Sequence, residues 1–259
     1  MDGQVRKFYE ELADFYSLLF EDWDGAIVRQ ASLLNRLLAT HSNGNPLRIL
    51  DCACGIGTQS IGLAGVGHQV IGSDLSEAAI LRARREARLR SLAIPFCVSD
   101  MASLREVGEG GFDAVVAMDN ALPHLSADQL RQAAKAIASK LRRGGLFMAS
   151  IRDYDVLILE KPRMETPAFH GAPGGRRIVH QVWDWERYAG EGSGYLLHQY
   201  ITVESSEGWL AHHFVSVYRC LLRQELSEAL KGAGFGEICW IMPAESGFYQ
   251  PLVLAKNSA

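Results

Sequence analysis

The sequence predicts an α/β fold: a doubly wound, mostly parallel seven-stranded sheet, with N-terminal helices and a small inserted antiparallel sheet. Three observations lead there. Short apolar runs alternate with amphipathic stretches between Leu47 and Ser150, as strands do when helices bury both faces of a parallel sheet. The first run leads into a glycine-bearing turn, Leu50-Asp51-Cys52-Ala53-Cys54-Gly55-Ile56-Gly57, placing a ligand site where strand meets helix. Beyond Ser150 the period falls to two, and Gly-containing turns separate the runs, which marks hairpins.

In chain order, Val5 to Leu19 and Gly25 to Ala39 carry helical periodicity, joined through Phe20-Glu21-Asp22-Trp23-Asp24. Ser42-Asn43-Gly44-Asn45-Pro46 is a break. Leu47 to Leu50 is a strand and Thr58 to Gly65 a helix; Gln69 to Gly72 is a second strand. Ser76 to Ser91 is a long helix, with Ser76 as N-cap and Glu77 in its first turn. Pro95 to Val98, Phe112 to Ala117 and Gly145 to Ser150 supply three more strands, and Ser126 caps a helix over Ala127 to Leu141. Lys161 to Gly175 reads as loop; Ile178 to Trp185, Tyr195 to Val203 and Trp209 to Tyr218 form the small sheet. Leu221 to Gly232 is a helix, and Ile238 to Ile241 and Leu252 to Ala255 finish as strands. The organisation expected is a helical lid over 1–45 and a cofactor-binding core over 46–150. An inserted substrate lid over 151–220 and a completion of the core over 221–259 follow.

A net charge of −4 gives no surface for tracking a nucleic-acid backbone. The cluster Arg82, Arg84, Arg85, Arg88 and Arg90, spaced by Glu86, reads as a solvated helix face. No apolar run reaches the roughly 20 residues of a membrane span, and none resembles a signal peptide, so a cytoplasmic protein is expected. Five scattered cysteines suit reduced thiols. Cys52 and Cys54 lack a second pair, and His212-His213 would point to opposite faces of a strand, so no metal is expected. Trp183, Trp185 and Trp209 read as core of the small sheet before they read as a cation-binding cage.

The turn itself narrows the ligand. No lysine follows it, which excludes a Walker loop, and Ser60 stands where a dinucleotide fingerprint needs its third small residue. Asp51 at the strand end is poorly placed beside a pyrophosphate but suits a ligand with positive charge. Asp74 ends the next strand where a carboxylate accepts from ribose hydroxyls, and Asp100 follows the third strand where it could accept from an adenine amine. Carboxylates at three successive strand ends, with no phosphate signature, describe S-adenosyl-L-methionine.

Asp51 to Thr58 (D-x-A-C-G-x-G-T) closely resembles motif I of the class I S-adenosylmethionine-dependent methyltransferases. The likeness is strengthened by Asp74 and by Ser99-Asp100-Met101, and it implies a Rossmann-like sheet. Met118-Asp119-Asn120-Ala121-Leu122-Pro123-His124-Leu125 resembles the G-N-S-x-x-H-L segment of glycine and sarcosine N-methyltransferases. Gly144 to Asp155 is similar to their G-G-L-x-x-x-D-H-R-N-Y-D. The resemblance implies that Arg152 holds a substrate carboxylate, that Asn120 lies by substrate and methionyl group, and that Tyr9 and Tyr16 close over the cofactor with Trp23 nearby. Ala53, Cys54, Gly55, Gly57, Leu75, Met101 and Met118 complete the implied cofactor site, and Tyr154 joins Asn120, His124 and Arg152 as candidate catalytic residues. Ser150-Ile151 stands for Asp-His in the related segment, and Asp119 for the glycine before the asparagine.

A small-molecule amine or amino acid is therefore the expected methyl acceptor, with no nucleic acid or membrane as partner. Methyl transfer from a sulfonium asks mainly for alignment, worth about 7–11 kcal/mol. An oxygen or carbon acceptor would want a base, for which His124 is the candidate. A non-catalytic S-adenosylmethionine-binding protein stays open, and a nicotinamide dehydrogenase is disfavoured by Ser60 and Asp51. Arg152 could instead pair with Asp153, Asp155 or Glu160, and Asp100 could only cap its turn.

Overall fold

In the computed structural model, which describes residues 2–42 and 44–258, Asn43 of the expected break lies outside the described residues. The chain opens with α1 (Asp2–Leu12), a 3-10 turn at Tyr16–Leu19 and α2 (Trp23–His41). The alternating core follows as β1 (Arg48–Asp51), α3 (Thr58–Gly65), β2 (Gln69–Asp74), α4 (Glu77–Leu89), β3 (Phe96–Val98), β4 (Phe112–Ala117), α5 (Ala127–Lys140) and β5 (Leu141–Ser150). After α6 (Tyr154–Glu160) come β6 (Ala168–His170), β7 (Arg177–Asp184), β8 (Gly194–Ser205) and β9 (Gly208–Arg219). Then α7 (Arg223–Gly232), β10 (Phe235–Ile241), α8 (Pro243–Ser246) and β11 (Leu252–Asn257) end the chain.

Two sheets result. The larger has seven strands in the order β10-β11-β5-β4-β1-β2-β3. Neighbours from β5 to β3 are parallel, whereas β11 runs antiparallel to both β5 and β10. Ile49, Leu50, Val115 and Val116 are completely buried, as strands covered on both faces must be. The chain steps outward from β1 to β3, then returns to place β4 beside β1. That reversal opens a crevice at the carboxyl ends of β1 and β4, and the site lies there. The smaller sheet, β6-β7-β8-β9, is wholly antiparallel.

The N-terminal segment is fastened between the two sheets. Glu10 accepts from the Glu77 and Ala78 amides at 2.8 and 3.0 Å, capping α4 from outside. Arg177 of β7 donates from Nε to the Leu18 carbonyl at 2.8 Å.

The structure corrects three local expectations. α1 stops at Leu12 instead of continuing to Leu19, because Arg82 Nη1 takes the Ala13 and Asp14 carbonyls at 2.8 and 2.6 Å. The arginine cluster is accordingly only partly a solvated face: Arg84 donates to the Phe96 carbonyl at 2.6 Å and Arg90 pairs with Glu86, while Arg85 and Arg88 are exposed. The stretch 161–175 is not all loop, since β6 pairs with β7 inside it. Among the described residues, no helix is long and apolar enough to cross a membrane.

Candidate active site

Asp74 ties the glycine turn to the end of β2. Its Oδ2 accepts from the Gly55 amide at 2.8 Å and its Oδ1 from the Ser76 amide at 2.9 Å. Gly55 sits at φ +51°, and a Cβ there would meet nothing within 4 Å on the cleft side of the turn. Gly57, at φ +97°, starts α3, and its Cβ would press Ile61 at 3.1 Å. It shapes the turn and does not line the cleft.

Asp51 is wholly buried beneath this turn. Its Oδ2 accepts from Ser60 Oγ at 2.7 Å, and the Ala53 amide also favours the carboxylate. Contrary to expectation it does not reach the cleft surface, which begins at Cys52; its charge acts from one residue behind. Burial raises its pKa from 3.8 to about 7, against the opposing effect of the Ser60 bond. The folded form thus holds a proton that the unfolded chain has already lost. The resulting stabilisation is fully present below about pH 4 and is lost as pH rises to about 7. Asp51→Asn should therefore make the unliganded protein more stable than the parent at pH 8, by about 4 kcal/mol at most, and equal to it near pH 4. Chemical denaturation at the two pH values checks this.

A cleft lies above the turn. Ala53, Cys54, Gly55, Asp74, Leu75, Asp100, Met101 and Met118, all expected at a cofactor, line it. Asp74, Asp100 and Asp119 contribute carboxylates, and the lining includes no lysine or arginine. Such a cleft repels phosphates and accepts hydroxyl, amine and sulfonium groups. Asp100 also fulfils the plainer role, since its Oδ1 accepts from the Ala102 amide at 2.8 Å. Trp23 lines neither this cleft nor the neighbouring cavity. Its indole donates to Thr58 Oγ1 at 2.9 Å and lies under the Arg90 guanidinium, so it pins α2 to α3.

A second cavity adjoins the first, and Tyr9, Tyr16 and Asp119 line both. Asn120 and Arg152 belong to the second cavity alone. Asp119 and Asn120 both hold left-handed backbone, at φ 57° and 66°, a strained pair of the kind that gathers at functional sites. Asn120 Oδ1 accepts from the Arg152 amide at 2.9 Å, and its Nδ2 donates to Tyr154 Oη at 2.9 Å. Tyr154 is fully buried and lines neither cavity, so it positions Asn120 and does not reach a substrate.

Arg152 does not pair with its sequence neighbours, because Asp153 and Asp155 bind Arg223. Instead it donates to Tyr195 Oη at 2.6 Å and Gln181 Oε1 at 2.7 Å, between Trp183 and Tyr218. The carboxylate recorded nearest to it is Glu165, at 3.9 Å. Five donors and two short neutral bonds leave capacity for an anion.

His124 is held at both nitrogens. Burial depresses its pKa to about 4, against the Val217 carbonyl, so the ring is neutral. Nδ1 donates to that carbonyl at 2.9 Å, and Nε2 accepts from the Tyr9 hydroxyl at 3.0 Å. The nitrogen that could act as base is already occupied in clasping α1 to the site.

The chain is similar to known proteins over this region. Residues 49–145 match the profile of the methyltransferase domain. The glycine/sarcosine N-methyltransferase of Parasynechococcus marenigrum is 30% identical over 160 residues, which cover 61% of this chain and 55% of that one. The chain thus carries a methyltransferase domain over residues 49–145 and is similar in fold to S-adenosylmethionine-dependent methyltransferases. Human glycine N-methyltransferase is 36% identical over 125 residues, covering 43% and 42% of the two chains. The chain spans about half the length of these curated relatives. The fold of an S-adenosylmethionine-dependent methyltransferase from Clostridium acetobutylicum superposes with a TM-score of 0.74, at 17% identity over 97% of this chain and 99% of that one.

Several residues that line the two cavities carry no motif. Gln59 hides in the glycine motif as an ordinary helix residue. Tyr218 and Gln181 come from the small sheet, and Tyr249 from the loop after α8. Only the period-two pattern could have flagged the sheet residues, and no local signal marks Tyr249.

Proposed function

We propose that this methyltransferase transfers a methyl group from S-adenosylmethionine to the nitrogen of a small amine or amino acid held by Arg152. The observation that carries the reading is the seam between the cavities. A carboxylate-lined cleft meets a chamber containing an arginine whose close partners are neutral, with Tyr9, Tyr16 and Asp119 at the join. When bound, S-adenosylmethionine supplies an electrophilic methyl group.

The chain's own residues do the rest. Asp74 accepts from the ribose hydroxyls while holding the Gly55 turn, and Asp100 faces the adenine end. Tyr9 and Tyr16 seal the seam; burial keeps their hydroxyls un-ionised, so they exclude water without competing as nucleophiles. Arg152, stacked on Trp183, fixes an acceptor carboxylate, and Asn120 Oδ1 holds its backbone amide. The occupied Nε2 of His124 counts against an oxygen acceptor that needs this histidine as base. Free cysteines throughout suit a cytoplasmic setting.

Radiolabelled methyl transfer from S-adenosylmethionine to a panel containing glycine, sarcosine, simple amines and phenols tests the proposal. Labelled amine products are expected. Transfer confined to phenols, or to nothing, would refute it.

A further inference from the structure

Asp119 stands where the related segment carries glycine, and it puts a carboxylate at the seam of the two cavities. Two separate elements hold that group. Gln59 of α3 donates from Nε2 to its Oδ2 at 2.8 Å, and Tyr249 beyond α8 donates its hydroxyl to Oδ1. Gln59 is itself anchored, since the same amide nitrogen donates to Gln30 Oε1 at 2.6 Å. Both partners of the carboxylate are neutral, so its charge is not cancelled by them. A carboxylate has about four acceptor positions, which leaves room for a further donor.

We infer that Asp119 receives the amine of the acceptor, binding its ammonium form at the seam and taking one proton before transfer. This rests on the methyl-transfer reading above and specifies its substrate. Arg152, which lines the second cavity with Asp119 and Asn120, takes the carboxylate, so the acceptor class is a small zwitterion, an α-amino acid or its N-methyl derivative. The proton moves from nitrogen to a carboxylate oxygen of Asp119, leaving the lone pair on nitrogen. A nitrogen–carbon bond then forms as the carbon–sulfur bond breaks, and its electron pair stays on sulfur. Burial also raises the Asp119 pKa, against the Tyr249 and Gln59 bonds, which brings the group closer to the amine it must deprotonate.

Titratable and charged groups around it come from every packed element: Tyr9 and Tyr16 from the N-terminal segment, Tyr249, Tyr218 of β9, Asp51 and Arg152. Burial holds the four tyrosines neutral and His124 uncharged, Arg29 lines the second cavity, and burial raises the pKa of Asp51 and of Asp74 in the cleft as it does that of Asp119. Asp51 lies behind the turn and lines neither cavity.

The test compares the parent with Asp119→Asn and Asp119→Gly, the glycine suiting the backbone at φ 57°. Glycine, sarcosine and ethanolamine serve as acceptors from pH 6 to 10, with S-adenosylmethionine affinity measured by calorimetry. Both variants should bind S-adenosylmethionine within a few-fold of the parent. Their kcat/KM for glycine or sarcosine should fall about 100-fold at neutral pH and recover part of that loss near pH 10, where free amine is abundant. Unchanged kcat/KM in the variants would overturn the inference alone. So would a loss of cofactor affinity that accounts for the whole fall, since Asp119 would then serve the cofactor. A parent that methylates no amine would overturn the inference together with the reading it rests on.

Discussion

Asp74→Ala is expected to weaken S-adenosylmethionine binding at least about 100-fold, with little change in thermal stability. Two losses combine. The carboxylate can no longer accept from ribose hydroxyls, and charge-assisted hydrogen bonds of this kind contribute about 1.5–3 kcal/mol each. The Gly55 turn also loses its anchor, because that amide donates to Asp74 at 2.8 Å. Stability should hold, because burial penalises this carboxylate and pushes its pKa up, against the backbone amides of Ser76 and Gly55. Calorimetry with melting curves separates the two effects. Full affinity in the alanine variant would place the ribose elsewhere.

Arg152→Met should raise KM for a carboxylate-bearing acceptor about 100-fold while sparing cofactor affinity, the equivalent of about 3 kcal/mol of lost charge-assisted bonding. Methionine fills much of the space between Trp183 and Tyr218. The fold tolerates the change because the arginine's partners keep others: Gln181 Oε1 still accepts from Trp183 Nε1 at 3.1 Å, and Tyr195 Oη stays 3.3 Å from Tyr154 Oη. Lysine would not substitute, since it lacks the planar fork that reaches both partners and a carboxylate. A variant with parental KM would place the acceptor away from Arg152.

The parallel core was legible because its signal is local. Phe112-Asp113-Ala114-Val115-Val116-Ala117 is too apolar and too short for anything but a strand covered on both faces, and Ser76 caps α4 through the Ala79 amide at 3.1 Å, as its position implied. Asp74, which ends β2, and Asp100, two residues beyond β3, were legible as cleft carboxylates because the carboxyl ends of parallel strands open onto the crevice. What escaped was set by distant partners. Nothing between Val5 and Leu19 says that α1 ends at Leu12; the cause is Arg82, on another helix. Trp23 has the character of a lid residue, yet Thr58 claims its indole. Tyr154 lies in a segment expected to bind substrate, but the packing of Tyr195 and Asn120 turns it inward. Asp119 could be noticed as a departure from glycine, whereas its place at the join of two cavities depends on Gln59 and Tyr249, 60 and 130 residues away.

Titration of the purified protein with S-adenosylmethionine, and separately with NAD, tests the central claim most directly. Micromolar binding of S-adenosylmethionine is expected, with no heat from NAD, whose pyrophosphate would meet the Asp74, Asp100 and Asp119 carboxylates. Binding of NAD in place of S-adenosylmethionine would contradict it.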